Sequence, residues 1–176
     1  MKNTQIIALY NILDNKRKTK ITNFSYGVEK NLSILEKDIN VFKEIYKPSS
    51  EFLEYDNLLK EKQLELCKKH ARKDEKGKPI SKIEQVLDAN NKVIGEKTKY
   101  DIEDLNKFGD ELKEEKSLLD EKYKEVIDIR EKQIIDANKI IEDGETEISV
   151  FKIKSVYLPS DLDADEIKAL SPVLED

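Results

Sequence analysis

From Ile21 to Tyr46 the apolar residues fall three and four apart: Ile21, Phe24, Val28, Leu32, Leu35, Ile39, Phe42 and Tyr46. Residues at that spacing share one face of an α-helix, whereas a half-buried strand would alternate. The stretch predicts a long amphipathic helix whose stripe other helices must cover. Thr22 or Asn23 offers a capping side chain, and Gly27 weakens the helix slightly.

The same spacing recurs on both sides. Ile6, Leu9, Tyr10 and Leu13 predict a first helix of about 12 residues, capped by Asn3 or Thr4 and too short to stand alone. Pro48, followed by Ser49-Ser50-Glu51, marks a break and a restart with a serine cap. Phe52, Tyr55, Leu59, Leu66 and His70, with Leu58 beside them, predict a helix over 51–71. Its short joint to the preceding helix predicts a long antiparallel helical hairpin over 21–72. The stripe Ile102, Leu105, Phe108, Leu112, Leu119, Tyr123, Val126, Ile127, Ile134, Ala137 and Ile141 predicts a third long helix over 101–143. Asp101 is its expected cap, and a bend is expected where Gly109 and the run Lys113 to Lys116 interrupt the stripe. Continuous, it would be on the order of 60 Å long, so its far end must pack elsewhere or self-associate.

Two stretches change period. After the polar breakers of Lys73-Asp74-Glu75-Lys76-Gly77-Lys78-Pro79, the residues Ile83, Val86, Leu87, Val93 and Ile94 predict a short β-hairpin within 78–100. Its turn is expected at Asn90-Asn91, which tolerate the left-handed conformation; a loop is the alternative. Gly144 stops the third helix. Ile148, Val150, Phe151, Ile153, Val156 and Tyr157 then form a β-rich run expected to share a small β element with that excursion. Pro159-Ser160-Asp161 ends it, and Asp163 to Leu170 predicts one or two helical turns before Pro172. The fold class is therefore mostly α, of the α+β kind. It is expected to be a single domain over 1–176 that ends in a strand and acidic tail at 147–176.

Composition supports this. Charged residues make up 40%, hydrophobic ones 38% and aromatic ones 7%, which suits narrow helices with wide solvated faces. Disorder is the alternative for so polar a chain, but the apolar residues are periodic rather than scattered. Net charge is −6. Residues 142–176 hold 10 acids and 3 bases, a balance of −7, so the other 141 residues, with 28 acids and 29 bases, balance at +1. With the body neutral and the tail acidic, general attachment to nucleic acid is not expected. A single cysteine, Cys67, excludes an intrachain disulfide and agrees with a reducing compartment. No run of 18 apolar residues exists, so no membrane span is expected, and the apolar start of the chain is too short for a secretion signal.

Candidate chemistry is sparse. His70 is the only histidine, which excludes a histidine-based metal cluster within one chain. Cys67 lies three residues before it, but a Cys–His nucleophile also needs an orienting group and an oxyanion pocket, and a plain helix offers neither. No Gly-rich phosphate loop is present. Asp161 to Glu166 superficially suggests a calcium loop but lacks the glycine at the sixth position and the glutamate at the twelfth, which is Pro172. The basic run Lys16 to Lys20 reads as a solvated linker in preference to an anion site. No catalytic, cofactor-binding or metal-ligating residue is expected, and no cofactor. The acidic tail has two readings: it closes the end of the bundle, or it docks on a partner through Asp161, Asp163, Asp165, Glu166, Ile167 and Leu170.

Lys20-Ile21, Phe24-Ser25-Tyr26, Glu29-Lys30-Asn31 and Leu35-Glu36 open the long helix; Arg72 to Pro79, Ile148 to Ile153, and Ile167-Lys168-Ala169-Leu170 follow. Together these resemble a small uncharacterised family of helical proteins encoded by tailed bacteriophages, over about two-thirds of the chain. The segment from about Asp120 to Asp143 departs from the pattern as an extension of the third helix. The family has no activity to carry over. The resemblance implies a phage origin and a place in the bacterial host cytoplasm, with the virion as a further location.

The expected function is non-enzymatic: binding to a phage structural or host protein as a virion or assembly accessory, with self-association as an added expectation. Two alternatives stand beside it, an inhibitor of a host defence system and a small enzyme.

Overall fold

The computed structural model describes residues 1–88 and 92–176; the expected turn at Asn90-Asn91 lies outside the described residues. The protein is mostly helical, with small β elements. Its contacts gather into two compact units, Met1–Lys47 with Glu131–Asp176, and Pro48–Arg130.

In the first unit, α1 (Asn3–Asn15) packs on α2 (Thr22–Ile45). The stripe of α2 is buried as its spacing predicts, from Phe24 through Val28, Leu32, Leu35 and Ile39 to Phe42. Ile6, Leu9 and Leu13 of α1 face it and are fully buried. Each such side chain contributes roughly 1.5–3 kcal/mol by leaving water. Ile153, Leu170 and Val173 complete the same core from the C-terminal end.

The second unit pairs α3 (Ser50–His70) with α4 (Leu105–Lys122). Its core is thin. Tyr55 and Leu66 are buried on α3, and no residue of α4 is buried. A polar clasp supplements the apolar contact: the Tyr55 hydroxyl donates to Asp120 at 2.6 Å, and the Tyr123 hydroxyl donates to Glu54 at 2.9 Å. Between the two helices in sequence come β1 (Ser81–Leu87) and β2 (Val93–Tyr100), an antiparallel pair as predicted.

A 3–4 spacing says that a stripe must be covered and leaves open by which neighbour. Within the first unit α2 packs on α1, and within the second α3 packs on α4.

The third long helix is two. α4 ends at Lys122 and α5 (Lys124–Asp143) begins after Tyr123, whose φ of −106° and ψ of 19° leave the helical region. The joint is there and not at Gly109 or Lys113 to Lys116, which stay helical. A solvated glycine costs a helix only about 1 kcal/mol, too little to break it unaided.

The caps also moved. Asp104, not Asp101, caps α4 by accepting from the amides of Asn106 and Lys107. Asp101 is held by backbone bonds to Arg72 and Ile80. Ile21 stands at the start of α2 with no side-chain cap, so neither Thr22 nor Asn23 serves. Lys2 precedes α1, and Asn3 turns its buried side chain to the far end of α5: its Nδ2 donates to the Ile140 carbonyl at 2.7 Å, and its Oδ1 accepts from the Thr146 hydroxyl. The same carbonyl also accepts from the Gly144 amide at 3.2 Å. Ser49 caps α3 as expected.

The run from Ile148 does not join the hairpin. Only Ile153–Lys154 is a strand, β3, and it pairs in parallel with β4 (Leu174–Glu175) in a separate two-stranded sheet. At Phe151 the backbone of the run is instead bound to a helix, through the amide side chain of Asn31.

Candidate protein-binding surface

Residues named for possible chemistry come first. His70, near the end of α3, puts Nε2 2.9 Å from Glu111 Oε2 on α4, and Lys69 Nζ lies 2.6 Å from the same oxygen. The Lys69 ammonium, with His70 beside it, holds the Glu111 carboxyl down to about 2. The Phe108 ring meets the His70 ring edge-on at 6.0 Å. These contacts tie α3 to α4. Cys67 is half-buried, and burial pushes its thiol up, away from the thiolate a nucleophile needs. Among the described residues no three His, Cys, Asp or Glu side chains come together as metal ligands. No helix among them is long and apolar enough to cross a membrane.

The acidic tail folds back. Asp163 caps α6 (Ala164–Leu170) by accepting from the Glu166 amide, and the Glu166 carboxylate returns the bond to the Asp163 amide. Glu166 also pairs with Lys16 at 2.9 Å. That settles the first residue of the basic run: it is a tie between the end of α1 and the tail. Arg17 likewise lies beside Asp14 and Glu29. Leu170 is fully buried in the core, so of the proposed partner contacts it is closed to a partner. Asp161, Asp163, Asp165 and Ile167 stay exposed, Ile167 at 44%.

Four exposed large apolar side chains lie on the hairpin β1–β2. Ile83 is 69% exposed, Ile94 64%, Leu87 49% and Val93 48%. The pairing explains why they gather. Ile83 lies opposite Thr98, Gln85 opposite Glu96, and Leu87 opposite Val93, and directly opposite side chains share a face. Alternation sends Lys82, Glu84 and Val86 to the other face, with Lys99, Lys97 and Gly95 across from them. There Glu84 lies 3.0 Å from Lys82, 3.4 Å from Lys99 and 4.0 Å from Lys97, and Lys82 first, with Lys99, holds its carboxyl below the usual range. One face thus carries Ile83 with Thr98, then Gln85 with Glu96, then Leu87 with Val93, so its exposed apolar residues stand at the two ends of a polar pair, and the other face is basic. The strands make their contacts chiefly with each other. A two-stranded ribbon with its apolar residues uncovered is marginal in water, where a third strand or a covering helix is the usual remedy.

This surface was absent from the residues singled out by sequence. The available signal was the count of strand-forming runs: two short ones, amid helices whose stripes already had work, leave a strand face with no cover. Compared with protein-family models, curated proteins and solved structures, the chain matches none.

Proposed function

We propose that the chain is a non-enzymatic protein of bacteriophage origin that works by contact with another protein, as a virion or assembly accessory in the bacterial host. The observation that carries the binding reading is the set of exposed apolar side chains on one face of the hairpin, Leu87 opposite Val93 at one end and Ile83 further along. Exposed apolar patches of this kind mark contact sites for partners. The phage and assembly part of the reading draws on the sequence resemblance. A second reading, an inhibitor of a host defence system, draws on Asp161, Asp163 and Asp165, exposed together before and within the start of α6 and suited to a basic groove.

A photo-crosslinking residue at Leu87 in infected cells tests both. Cross-links to head or tail proteins support the assembly reading. Cross-links from position 165, and none from 87, to a host defence protein support the inhibitor. Labelling at neither position in cells that hold the protein overturns the binding reading.

A further inference from the structure

The hairpin also has an open side. β1 pairs with β2 along one edge and, among the described residues, with no strand along the other. Such an edge is a row of backbone donors and acceptors ready for another strand. We infer that β1 of a second copy of this chain pairs antiparallel along that edge, about a two-fold axis at Ile83, joining two hairpins into one four-stranded sheet.

The order of side chains selects the register. About a two-fold axis, residues equally far on either side of it lie opposite each other, and opposite side chains share a face. With the axis at Ile83, Lys82 of each copy faces Glu84 of the other. Ser81 faces Gln85, and Ile83 faces its own mate. Just beyond, Val86 meets Ile80, both apolar. Opposite charges, polar groups and apolar groups each find their like or their complement. An axis at Lys82 or Glu84 would instead set two like charges face to face, which destabilises a pair of strands. An axis at Gln85 would set Glu84 against Val86.

The structure also says why such pairing would stop at two copies. The outer edge of β2 carries Lys97 and Lys99 on one face. Two β2 edges meeting about Thr98 would lay Lys97 of one against Lys99 of the other, so the four-stranded sheet does not grow. The register shift between Val86 and Leu87 ends the regular ladder on β1 as well. This pairing uses the hairpin's edge. The partner reading above uses the apolar side chains of one face, which the second copy would double in width, so either can fail without the other.

The test uses the full chain with Cys67→Ser as background. Opposite residues of an antiparallel pair have Cα atoms about 4.5–5.5 Å apart, within reach of a disulfide. Ile83→Cys is expected to oxidise to a covalent dimer, and Thr98→Cys about tenfold more slowly or not at all, since it faces its own β1 strand. Light scattering of the native chain is expected to show a dimer at high micromolar concentration. Lys82→Glu is expected to weaken it about tenfold, because both interchain pairs become repulsive. Lys99→Glu, which makes the same charge change opposite position 82 on the other strand of the hairpin and outside the proposed pairing, is expected not to weaken it. Circular dichroism identifies any variant that has lost its helices, and comparison of the folded variants then decides. A monomer throughout, equal cross-linking at Ile83→Cys and Thr98→Cys, or equal weakening by Lys82→Glu and Lys99→Glu overturns the inference.

Discussion

Asn31, fully buried on α2, holds the backbone of Phe151 at both its polar groups. Its Nδ2 donates to the Phe151 carbonyl at 2.9 Å, and its Oδ1 accepts from the Phe151 amide at 2.8 Å. The remaining amide hydrogen goes to the Gly27 carbonyl at 3.0 Å. An asparagine side chain thus does for Phe151 what a neighbouring strand would do: it supplies one donor and one acceptor. Four residues earlier on the same face, Gly27 offers bare backbone, and the Ile153 side chain fills that space. Asn31 and Gly27 together seat the segment 151–153 on a helix.

Asn31→Leu is expected to destabilise the protein by about 2–4 kcal/mol, since it strips partners from two backbone groups and the Gly27 carbonyl. Asn31→Asp should be pH-dependent. The new carboxylate would face two carbonyl oxygens, so the folded state would favour its protonated form and raise its pKa. A raised folded pKa means stability that is present at low pH and lost as pH rises past the ordinary carboxylate value of about 4. Denaturant melts should therefore show this variant closer to the native chain at acid pH than at pH 7. The reverse order would mean that the side chain does not bridge Phe151 as described.

Three glycines should respond differently to alanine. At Gly27 a Cβ would lie 2.5 Å from the Ile153 side chain, and at Gly144 one would lie 2.5 Å from Asn3 Nδ2 and closer still to the Ile140 carbonyl. Gly27→Ala and Gly144→Ala are each expected to cost about 1–3 kcal/mol from overpacking. Gly109 sits within α4 and has nothing within 4 Å of a built Cβ. Gly109→Ala is therefore expected to stabilise by about 0.5–1 kcal/mol, through helix propensity and a less free unfolded chain. Thermal melts of the three variants check the order.

These residues also show where sequence reading stops. The stripe from Phe24 to Phe42 was legible because burial of a helix face leaves a periodic trace along one element. The hairpin was legible for a similar local reason. Which helix covers which stripe depends on contacts between distant residues, and that α1 covers α2 is not written in either stripe alone. Asn31 and Asn3 look like ordinary polar residues in the chain. Each is buried because its partner arrives from more than a hundred positions away, Phe151 for one and Ile140 for the other. Gly27 reads as a helix defect until Ile153 is seen to occupy its missing side chain's space. The strand expected at 148–156 shrinks to Ile153–Lys154, and at Phe151 an amide on a helix supplies the bonds that a strand residue would otherwise seek from another strand. Of the partner contacts foreseen in the tail, Leu170 was apolar because the core needs it.

The Lys69–His70–Glu111 cluster should leave a mark on acid stability. Glu111 is held near 2, below its ordinary 4.5, with the bond from Lys69 the largest cause. A depressed folded pKa gives stability that is complete above 4.5 and lost as pH falls towards 2. The native chain should therefore lose stability across that window more steeply than Glu111→Gln. Melting temperatures taken between pH 2 and 6 give the comparison. Parallel curves would show that Glu111 is not held by its two neighbours.

The tail offers a contrast between two leucine-sized residues three apart. Leu170 is fully buried against the core formed by α1 and α2, while Ile167 on the same short helix is 44% exposed. Leu170→Ala removes buried carbons and leaves a cavity, at an expected cost of about 2–5 kcal/mol. Ile167→Ala should change stability by no more than about 0.5 kcal/mol, as exposed substitutions do. Glu166→Gln weakens one partly exposed pair with Lys16 and should cost about 1 kcal/mol or less. Urea melts of the three variants rank them. That ranking means the tail is fastened by apolar packing at its far end and leaves its acidic start in solvent. Equal, small effects for Leu170→Ala and Ile167→Ala would mean that the tail detaches in solution and that its apolar residues are free for a partner after all.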